Sequence, residues 1–548
     1  MNIIEISSEC SGLAQRGGLG SVIWGISDAF RKGGHRVTII LPYYAEIHHE
    51  VHLYTTLSCS YGGEELSVSV FETLHFGIRV LLVHSDRFFR GEYSDVYIDS
   101  GRLRRGYFED DAKRFAFFSL AACKLLQHLQ KKERIDVIHC HDWHTGLVPL
   151  LIKVHPGLQN LQDIYRLFTV HNLEYQGTRP FAKFSVRNDG IHASAHPGSS
   201  VNHGNLQGFL DWYPDLAGIE MELFAPYLDR HADIACINPM RAALHSADRV
   251  STVSPTYAEE ICRPDSHETD FLGGRGLEDD FSELARLGRL SGIANGIDID
   301  FYDPRALPLP YTPENHEEGC RANRAALFDE MPAIIDAMLE TEALISGTEM
   351  ALRQKLQALN RDAFIERPLL VAVTRLTGQK IQQFLESASG NQLLQHFANE
   401  KLHLVFLGKG DLLPRLVEET SAAPNILLFG GFDDNLEKRL FASADFMLMP
   451  SEFEPCGTSQ MKAMRYGCLP IAAAVGGLKD TIRHGYNGFL YTGHDRKSKA
   501  EAFLSEIHAA LKMITNDRKT FLQLQQNAML TDFSWTEAAA AYLALMQP

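Results

Sequence analysis

The stretch Ser451–Gly467 reads SEFEPCGTSQMKAMRYG and sets one carboxylate, Glu454, on a loop between a short apolar run, ADFMLMP, and a segment whose Met461, Met464 and Tyr466 form a helical face up to Gly467. Ligands of open α/β sheets bind at such strand-to-helix edges, so Glu454 can face one. It can equally do no more than favour the positive end of the helix. Arg375 and Lys380 follow another apolar run, LLVAVT, in the segment RLTGQK. A guanidinium fork beside a compact ammonium suits a departing diphosphate, because both stabilise charge developing on the leaving oxygen. Two surface cations at a helix start is the other reading, although basic groups there oppose the helix dipole and so favour an anion partner.

VIHCHDWHTG carries His139, His141, Asp142 and His144, and FTVHNLEYQG carries His171, each set at the end of an apolar run. The H-x-H spacing invites a zinc ion. Against it we set the alternation of side chains along a strand, taken to separate the two histidines, and the absence of the other half of a ligand set. No metal is expected; Asp142 and His171 are read as groups that hydrogen-bond sugar hydroxyls, and His139 as a satisfied strand histidine. Gly17, Gly18 and Gly20 form a tight turn before a helix over Ser21–Phe30 that closes at Gly33-Gly34. Backbone N–H groups at that start can receive phosphate or sugar oxygens. The spacing departs from G-x-G-x-x-G, so a dinucleotide site is not supported. A second pair, Gly476-Gly477, follows LPIAAAV. There is no G-x-S-x-G elbow, and Cys456 has no motif partner to activate it, so it is read as a small residue that lets backbone approach.

These residues need strands that end at one edge. Apolar, β-branched runs recur at Asn2–Ile6, Arg36–Leu41, Arg79–His84, Asp136–Cys140, Leu167–Val170 and Arg249–Val253. They restart at Leu369–Thr374, Leu404–Leu407, Ile426–Phe429, Phe446–Met449 and Leu469–Ala474. Helical segments lie between them, which predicts an α/β protein with two doubly wound sheets facing a cleft. Pro304–Glu318 lacks either periodicity and reads as linker, Ala333–Asp362 as a solvated pair of surface helices, and Pro180–Asn205 as a loop.

A chain of 548 residues is long enough for two domains. Its 52 basic against 69 acidic residues, net −17, argue against a nucleic-acid backbone as partner, so any anionic ligand must meet local cations. No apolar run reaches the roughly 18 residues that span a bilayer, and no signal-type start precedes the first strand, which predicts a cytoplasmic location without membrane contact. The nine cysteines are scattered singly, as in a reducing compartment.

Taken together, FEPCGTSQMKAMRYG, RLTGQK, HDWHTGLVPLL, FTVHNLEYQG, STVSPTYAEEI, IANGIDIDFYDP, LGKGD and AVGGLKDT resemble the bacterial glycogen and plant starch synthases, family 5 of the glycosyltransferases. The resemblance implies a GT-B fold of two Rossmann-like domains: residues 1–300 on the acceptor side, 301–530 binding the donor nucleotide, and a helix at 531–548 crossing back. It implies metal-independent transfer of glucose from ADP-glucose to the non-reducing 4-hydroxyl of an α-1,4-glucan, with retention and without a cofactor. Arg375 and Lys380 would hold the diphosphate, and Glu454 the donor glucose. Cys456, Gly457, Thr458, Gly476 and Gly477 would supply contacts to sugar and phosphate. His171 would hold the 6-hydroxyl, Asn295 would contact the donor sugar, Asp142 would line the acceptor side and Phe432 would pack near adenine.

The departures cluster in the first half. Where the family reads KTGGLADV, this chain reads QRGGLGSV, so the donor-binding Lys is Gln15 and the Asp is Ser21, with Arg16 alongside to restore the charge. Losing a charge-assisted phosphate contact costs about 1.5 to 3 kcal/mol, or roughly 10- to 100-fold in binding or rate. Phe108, Asp110-Asp111 and Arg241 also differ from the family pattern, and Lys462 stands where related transferases often carry a second Glu. A glucan-binding paralogue with weak turnover, or a transferase using another nucleotide sugar or acceptor, therefore stay open beside the leading reading.

Overall fold

A computed structural model describes residues 1–89, 96–97, 111–182, 184–185, 205–269, 271–388 and 391–547. The first sheet contains β1 (Asn2–Ile6), β2 (Arg36–Pro42), β3 (His52–Tyr61), β4 (Glu64–His75), β5 (Ile78–His84), β6 (Val137–His141), β7 (Tyr165–Val170), β8 (Arg249–Thr252) and β9 (Leu290–Gly292). Its spatial order is β9-β8-β7-β6-β1-β2-β5-β4-β3. All pairs are parallel except those of the β3–β4–β5 extension. The second sheet contains β10 (Leu369–Val373), β11 (His403–Leu407), β12 (Ile426–Phe429), β13 (Phe446–Met449), β14 (Leu469–Ala473) and β15 (Phe489–Tyr491). Its order is β12-β11-β10-β13-β14-β15, parallel throughout. Strands such as Leu369–Val373 are buried on every residue, which explains their continuous apolar runs.

Each expected strand is present within two residues of its expected bounds, while β3, β4, β9 and β15 were not foreseen. The β3–β4 hairpin turns on Gly62-Gly63, both in the left-handed region that a two-residue hairpin loop requires. The other corrections concern packing. Pro304–Glu318 is no free linker: Tyr311 is buried and donates to the Tyr466 carbonyl at 2.9 Å, and a helix begins at His316. The Ala333–Asp362 stretch is not a solvated pair. Three helices, His316–Glu340, Glu349–Ala358 and Arg361–Glu366, cover it and bury Met331, Ile335, Met338, Leu352 and Phe364. Buried Arg324 ties them to the second sheet through the Ser443 carbonyl and Asp445, at 2.7 and 2.8 Å. The expected loop over Pro180–Asn205 lies largely outside the described residues.

The helix Trp535–Leu545 returns to the first sheet, where Tyr165 donates to the Leu545 carbonyl at 2.7 Å. It packs against the helix Gly18–Lys32 at Gly25, where a β-carbon would stand 2.0 Å from the Trp535 indole nitrogen, so only glycine permits the approach. The two halves also meet beside their strand ends. Ser254 donates to the Pro455 carbonyl at 2.6 Å, Asp480 accepts from Thr256 backbone and hydroxyl at 2.9 and 2.7 Å, and the Tyr257 ring meets Phe453 edge-on at 5.4 Å.

Candidate functional site

On the second sheet the neighbouring strands β10, β13 and β14 end side by side, and their following loops carry Arg375 and Lys380, Ser451–Thr458, and Gly476-Gly477. Glu454 is buried and its carboxylate accepts from the Lys380 ammonium and from the Ser451 hydroxyl, the latter at 3.1 Å. Both partners of that ion pair are nearly withdrawn from water. Arg375 behaves differently: it is exposed, and among the described residues its guanidinium donates to Gln379 at 3.4 Å and makes no ion pair. The loop therefore offers one neutralised pair beside one uncommitted cation.

The shape of this loop is set by glycine. Gly457 has φ +70°, and a β-carbon there would stand 2.6 Å from the Gln460 amide oxygen and 3.1 Å from Glu454 Cγ. Thr458 precedes the helix Ser459–Arg465, with its carbonyl accepting from Lys462 N–H. The N–H groups of Gly476 and Gly477 are already engaged, by the Glu260 carboxylate at 3.1 Å and the Glu454 carbonyl at 3.0 Å. Gly477 instead permits close packing, since a β-carbon would lie 2.3 Å from the Cys456 carbonyl oxygen. Burial pushes the Cys456 thiol up to about 12, which leaves it unreactive at neutral pH. Asn295 is buried beside Cys456 of this loop, and its side-chain amide oxygen has no hydrogen-bond partner among the described residues. Phe432 follows the outer strand β12 and is 43% exposed, anchored by its N–H to the Ala343 carbonyl at 3.1 Å. Lys462 pairs with buried Glu437 at 3.2 Å and lies over the Tyr302 ring.

On the first sheet the ends of β7, β6 and β1 bring together His171, Asp142 and the turn before the helix at Gly18. Asp142 has φ +54° and ψ 178°, a conformation that costs a residue with a side chain on the order of 1 to 3 kcal/mol. Its carboxylate accepts from the His171 and Asn172 N–H groups at 2.7 and 3.4 Å. Burial dominates over those bonds and, with help from the Glu9 charge, raises the Asp142 carboxyl to about 7. Leu173 N–H donates to Tyr257 at 3.3 Å, so one tyrosine touches the His171 loop and, through Phe453, the Glu454 loop.

Part of the glycine turn is already engaged. Glu9, buried and unforeseen, accepts from the Arg16 and Gly17 N–H groups at 2.7 and 3.0 Å, so those donors are not free for a ligand oxygen. Gly18 stays open, with nothing within 4 Å of a β-carbon position. The Gln15 amide donates to the Ser21 hydroxyl and the Gly17 carbonyl, both at 2.9 Å, so the two residues that depart from the family motif satisfy each other. Arg16 is paired with Glu46, and its charge is answered there. Arg241, another departure, is buried against Asp280 at 2.9 Å, and Asp111 pairs with Arg179; Phe108 and Asp110 lie outside the described residues.

One expectation about the histidines was mistaken. Side chains alternate with a period of two, so positions 139 and 141 share a face of β6 rather than opposing each other. Both converge on Glu5 of β1: His139 Nδ1 lies 3.0 Å and His141 Nε2 2.6 Å from its carboxylate. Donor atoms of the three lie within 4.8 Å of one another, close enough to hold an ion, yet every polar side-chain atom among them already serves a hydrogen bond. Burial would raise the Glu5 carboxyl, but the His139 charge and the bonds from both histidines hold it down at about 2. Burial, then the His139 charge, lowers His141 to about 4. Neither Glu5 nor Glu9 was legible beforehand, because Glu5 and its partner His139 are 134 residues apart and no local spacing links them.

Comparison with known proteins agrees with this architecture. Residues 2–283 match the starch synthase catalytic domain family, and residues 367–509 match the glycosyl transferases group 1 family. The chain is 33% identical to the glycogen synthase of Streptococcus sanguinis over 570 aligned positions, covering 100% of this chain and 99% of that one. It is 32% identical to the glycogen synthase of Streptococcus gordonii, with the same coverage. Among solved structures, the catalytic domain of starch synthase IV from Arabidopsis thaliana, bound to ADP and acarbose, superposes with a TM-score of 0.73 at 26% identity, over 100% of this chain and 98% of that one. Sucrose-phosphate synthase from Thermosynechococcus elongatus, at TM-score 0.53 and 15% identity over 99% of this chain and 98% of that one, shares the fold. The chain thus belongs to the glycogen and starch synthase family and is a glycosyltransferase of GT-B fold that transfers glucosyl units to glucan.

Proposed function

We propose that the protein uses ADP-glucose as donor and extends the non-reducing 4-hydroxyl of an α-1,4-glucan, retaining the anomeric configuration. The observation that carries this reading is the Lys380–Glu454 pair with uncommitted Arg375 beside it, at the carboxyl ends of three adjacent strands. A diphosphate entering there would draw Lys380 toward its oxygens and release Glu454 to the glucose hydroxyls. Arg375 would take the second phosphate oxygen, so the reaction needs no metal ion in this account. The leaving oxygen would accept the acceptor's proton on the same face, and no covalent enzyme intermediate forms. His171 would receive the 6-hydroxyl, Asn295 the donor sugar, Asp142 the acceptor side, and Phe432 the adenine. The nine unpaired cysteines support a cytoplasmic setting, and no described helix is long and apolar enough to cross a membrane.

A donor panel tests this: ADP-, UDP- and GDP-glucose, each with glycogen primer, followed by digestion of the product with an α-1,4-specific amylase. Faster turnover with ADP-glucose into digestible chains is the expected result, and preference for another nucleotide would overturn the donor assignment. One observation favours a second reading, a glucan-binding paralogue with weak turnover. Gln15 and Ser21 bond to each other, and Arg16 is held by Glu46, so the first half brings no spare cation from this motif to the donor. That reading predicts glycogen binding without incorporation from any donor.

A further inference from the structure

The groups around Glu5 form one hydrogen-bonded line through the core of the first sheet, from Ser251 on β8 to His171 at the cleft. Ser251 Oγ lies 2.6 Å from Thr169 Oγ1, which lies 2.7 Å from His139 Nε2. Glu5 bridges the two β6 histidines, and His141 Nδ1 lies 3.0 Å from His171 Nε2. Counting protons along the line fixes its polarity. An ionised Glu5 can only accept, so the nitrogens facing it, His139 Nδ1 and His141 Nε2, both carry hydrogens. His141 is neutral and has then spent its single hydrogen, so its Nδ1 is a lone pair. The nitrogen opposite, His171 Nε2, must donate. His171 is itself neutral, because burial first lowers its pKa well below the usual histidine value and a proton on His141 or His139 would lower it further. Its remaining nitrogen, Nδ1, is therefore an acceptor, and it has no protein partner among the described residues.

We propose that Glu5 is a positioning residue for glucosyl transfer: through His141 it holds His171 in the Nε2–H form, so that Nδ1 meets the donor sugar's 6-hydroxyl as a hydrogen-bond acceptor. This rests on the reading of His171 as a donor-sugar contact. Without Glu5, His141 can carry its hydrogen on Nδ1 instead, which forces His171 to accept at Nε2 and to present an N–H to the cleft. The same line accounts for a buried carboxylate on a central strand, because each of its oxygens meets an imidazole.

Two readouts test the proposal on the full chain. The first is long-range 1H–15N NMR of protein labelled with [15N]histidine, with His171 assigned by its loss in His171→Asn. Wild type should show His171 protonated on Nε2 and bare on Nδ1; the reverse would overturn the proposal outright. Glu5→Met should shift His171 toward the Nδ1–H form. An unchanged tautomer in Glu5→Met contradicts the inference, and should that variant fail to fold, His141→Leu, which removes the acceptor facing His171 Nε2, is measured in its place and should likewise lose the exclusive Nε2–H form. The second readout is kcat with ADP-glucose and with ADP-6-deoxyglucose. Glu5→Met should lose about 10- to 30-fold with the first donor and less than threefold with the second. Equal losses on both would mean that Glu5 only stabilises the sheet. If wild type turns over neither donor, the proposed function fails, while the NMR arm still decides the relay.

Discussion

The two sheets present ligand edges of opposite character. On the second, buried Glu454 and Lys380 satisfy each other by charge, and Arg375 has no counter-ion among the described residues. On the first, the corresponding turn is held by neutral or internally spent groups: Gln15 on Ser21, Arg16 on Glu46, and the Arg16 and Gly17 N–H groups on Glu9. The comparison teaches where binding charge resides. Recognition of an anionic donor falls to the second sheet, while the first sheet contributes neutral hydrogen-bonding groups and one raised carboxyl, Asp142.

The largest expected effect comes from breaking the charged edge. Lys380→Ala should lower kcat about 100- to 1000-fold, and because it strands a buried carboxylate it should also cost about 3 kcal/mol of stability by urea unfolding. Arg375→Ala should lose activity of the same order with an unchanged unfolding midpoint, since it breaks no ion pair. A destabilised Arg375→Ala would mean that the contrast between the two cations is misjudged.

Next is the neutral edge. Because Gln15 and Ser21 contact each other, Gln15→Lys together with Ser21→Asp should raise kcat/KM for the donor about 10- to 100-fold, and Gln15→Lys with Arg16→Thr should raise it less. No gain in either would show that this edge does not limit turnover.

Asp142 sharpens the comparison through pH. A carboxyl raised to about 7 keeps in the fold a proton that the unfolded chain releases near pH 4. Its contribution to stability is therefore present below about pH 4 and declines as pH rises toward 7, by at most about 4 kcal/mol. Asp142→Asn should flatten stability against pH across that window. The depressed Glu5 carboxyl acts in the opposite sense and lower down, losing its contribution as pH falls from about 4.5 toward 2.

The smallest effect is at Lys462. Lys462→Glu would set a second carboxylate against buried Glu437 and should cost about 2 kcal/mol in thermal unfolding, with less than tenfold change in kcat. A stable Lys462→Glu would mean that water reaches the two carboxylates and screens them.

Much of this was legible in the chain itself. Parallel strands buried on both faces announce themselves as continuous apolar runs, so Ile426–Phe429 and Phe446–Met449 were located to the residue. The residues after them, Arg375, Lys380, Glu454, Asp142 and His171, fall at strand ends because that is where a doubly wound sheet places its loops. Hidden were the partners. Glu5 reads as an oddity within NIIEI until β6 is laid beside it, and Glu9 as a loop acid until the turn folds back onto it. The His139–His141 error was one of period and could have been avoided, and so could the omitted hairpin, since Gly62-Gly63 between alternating segments is a turn signal. Tyr311 and His316 show the limit of reading periodicity: two buried side chains anchor a segment that has none.

Incorporation of labelled glucose from ADP-glucose into glycogen by the purified protein tests the central claim most directly. Labelled polymer that requires Lys380 and Arg375 is the predicted result; no incorporation with any glucan or oligosaccharide primer would contradict it.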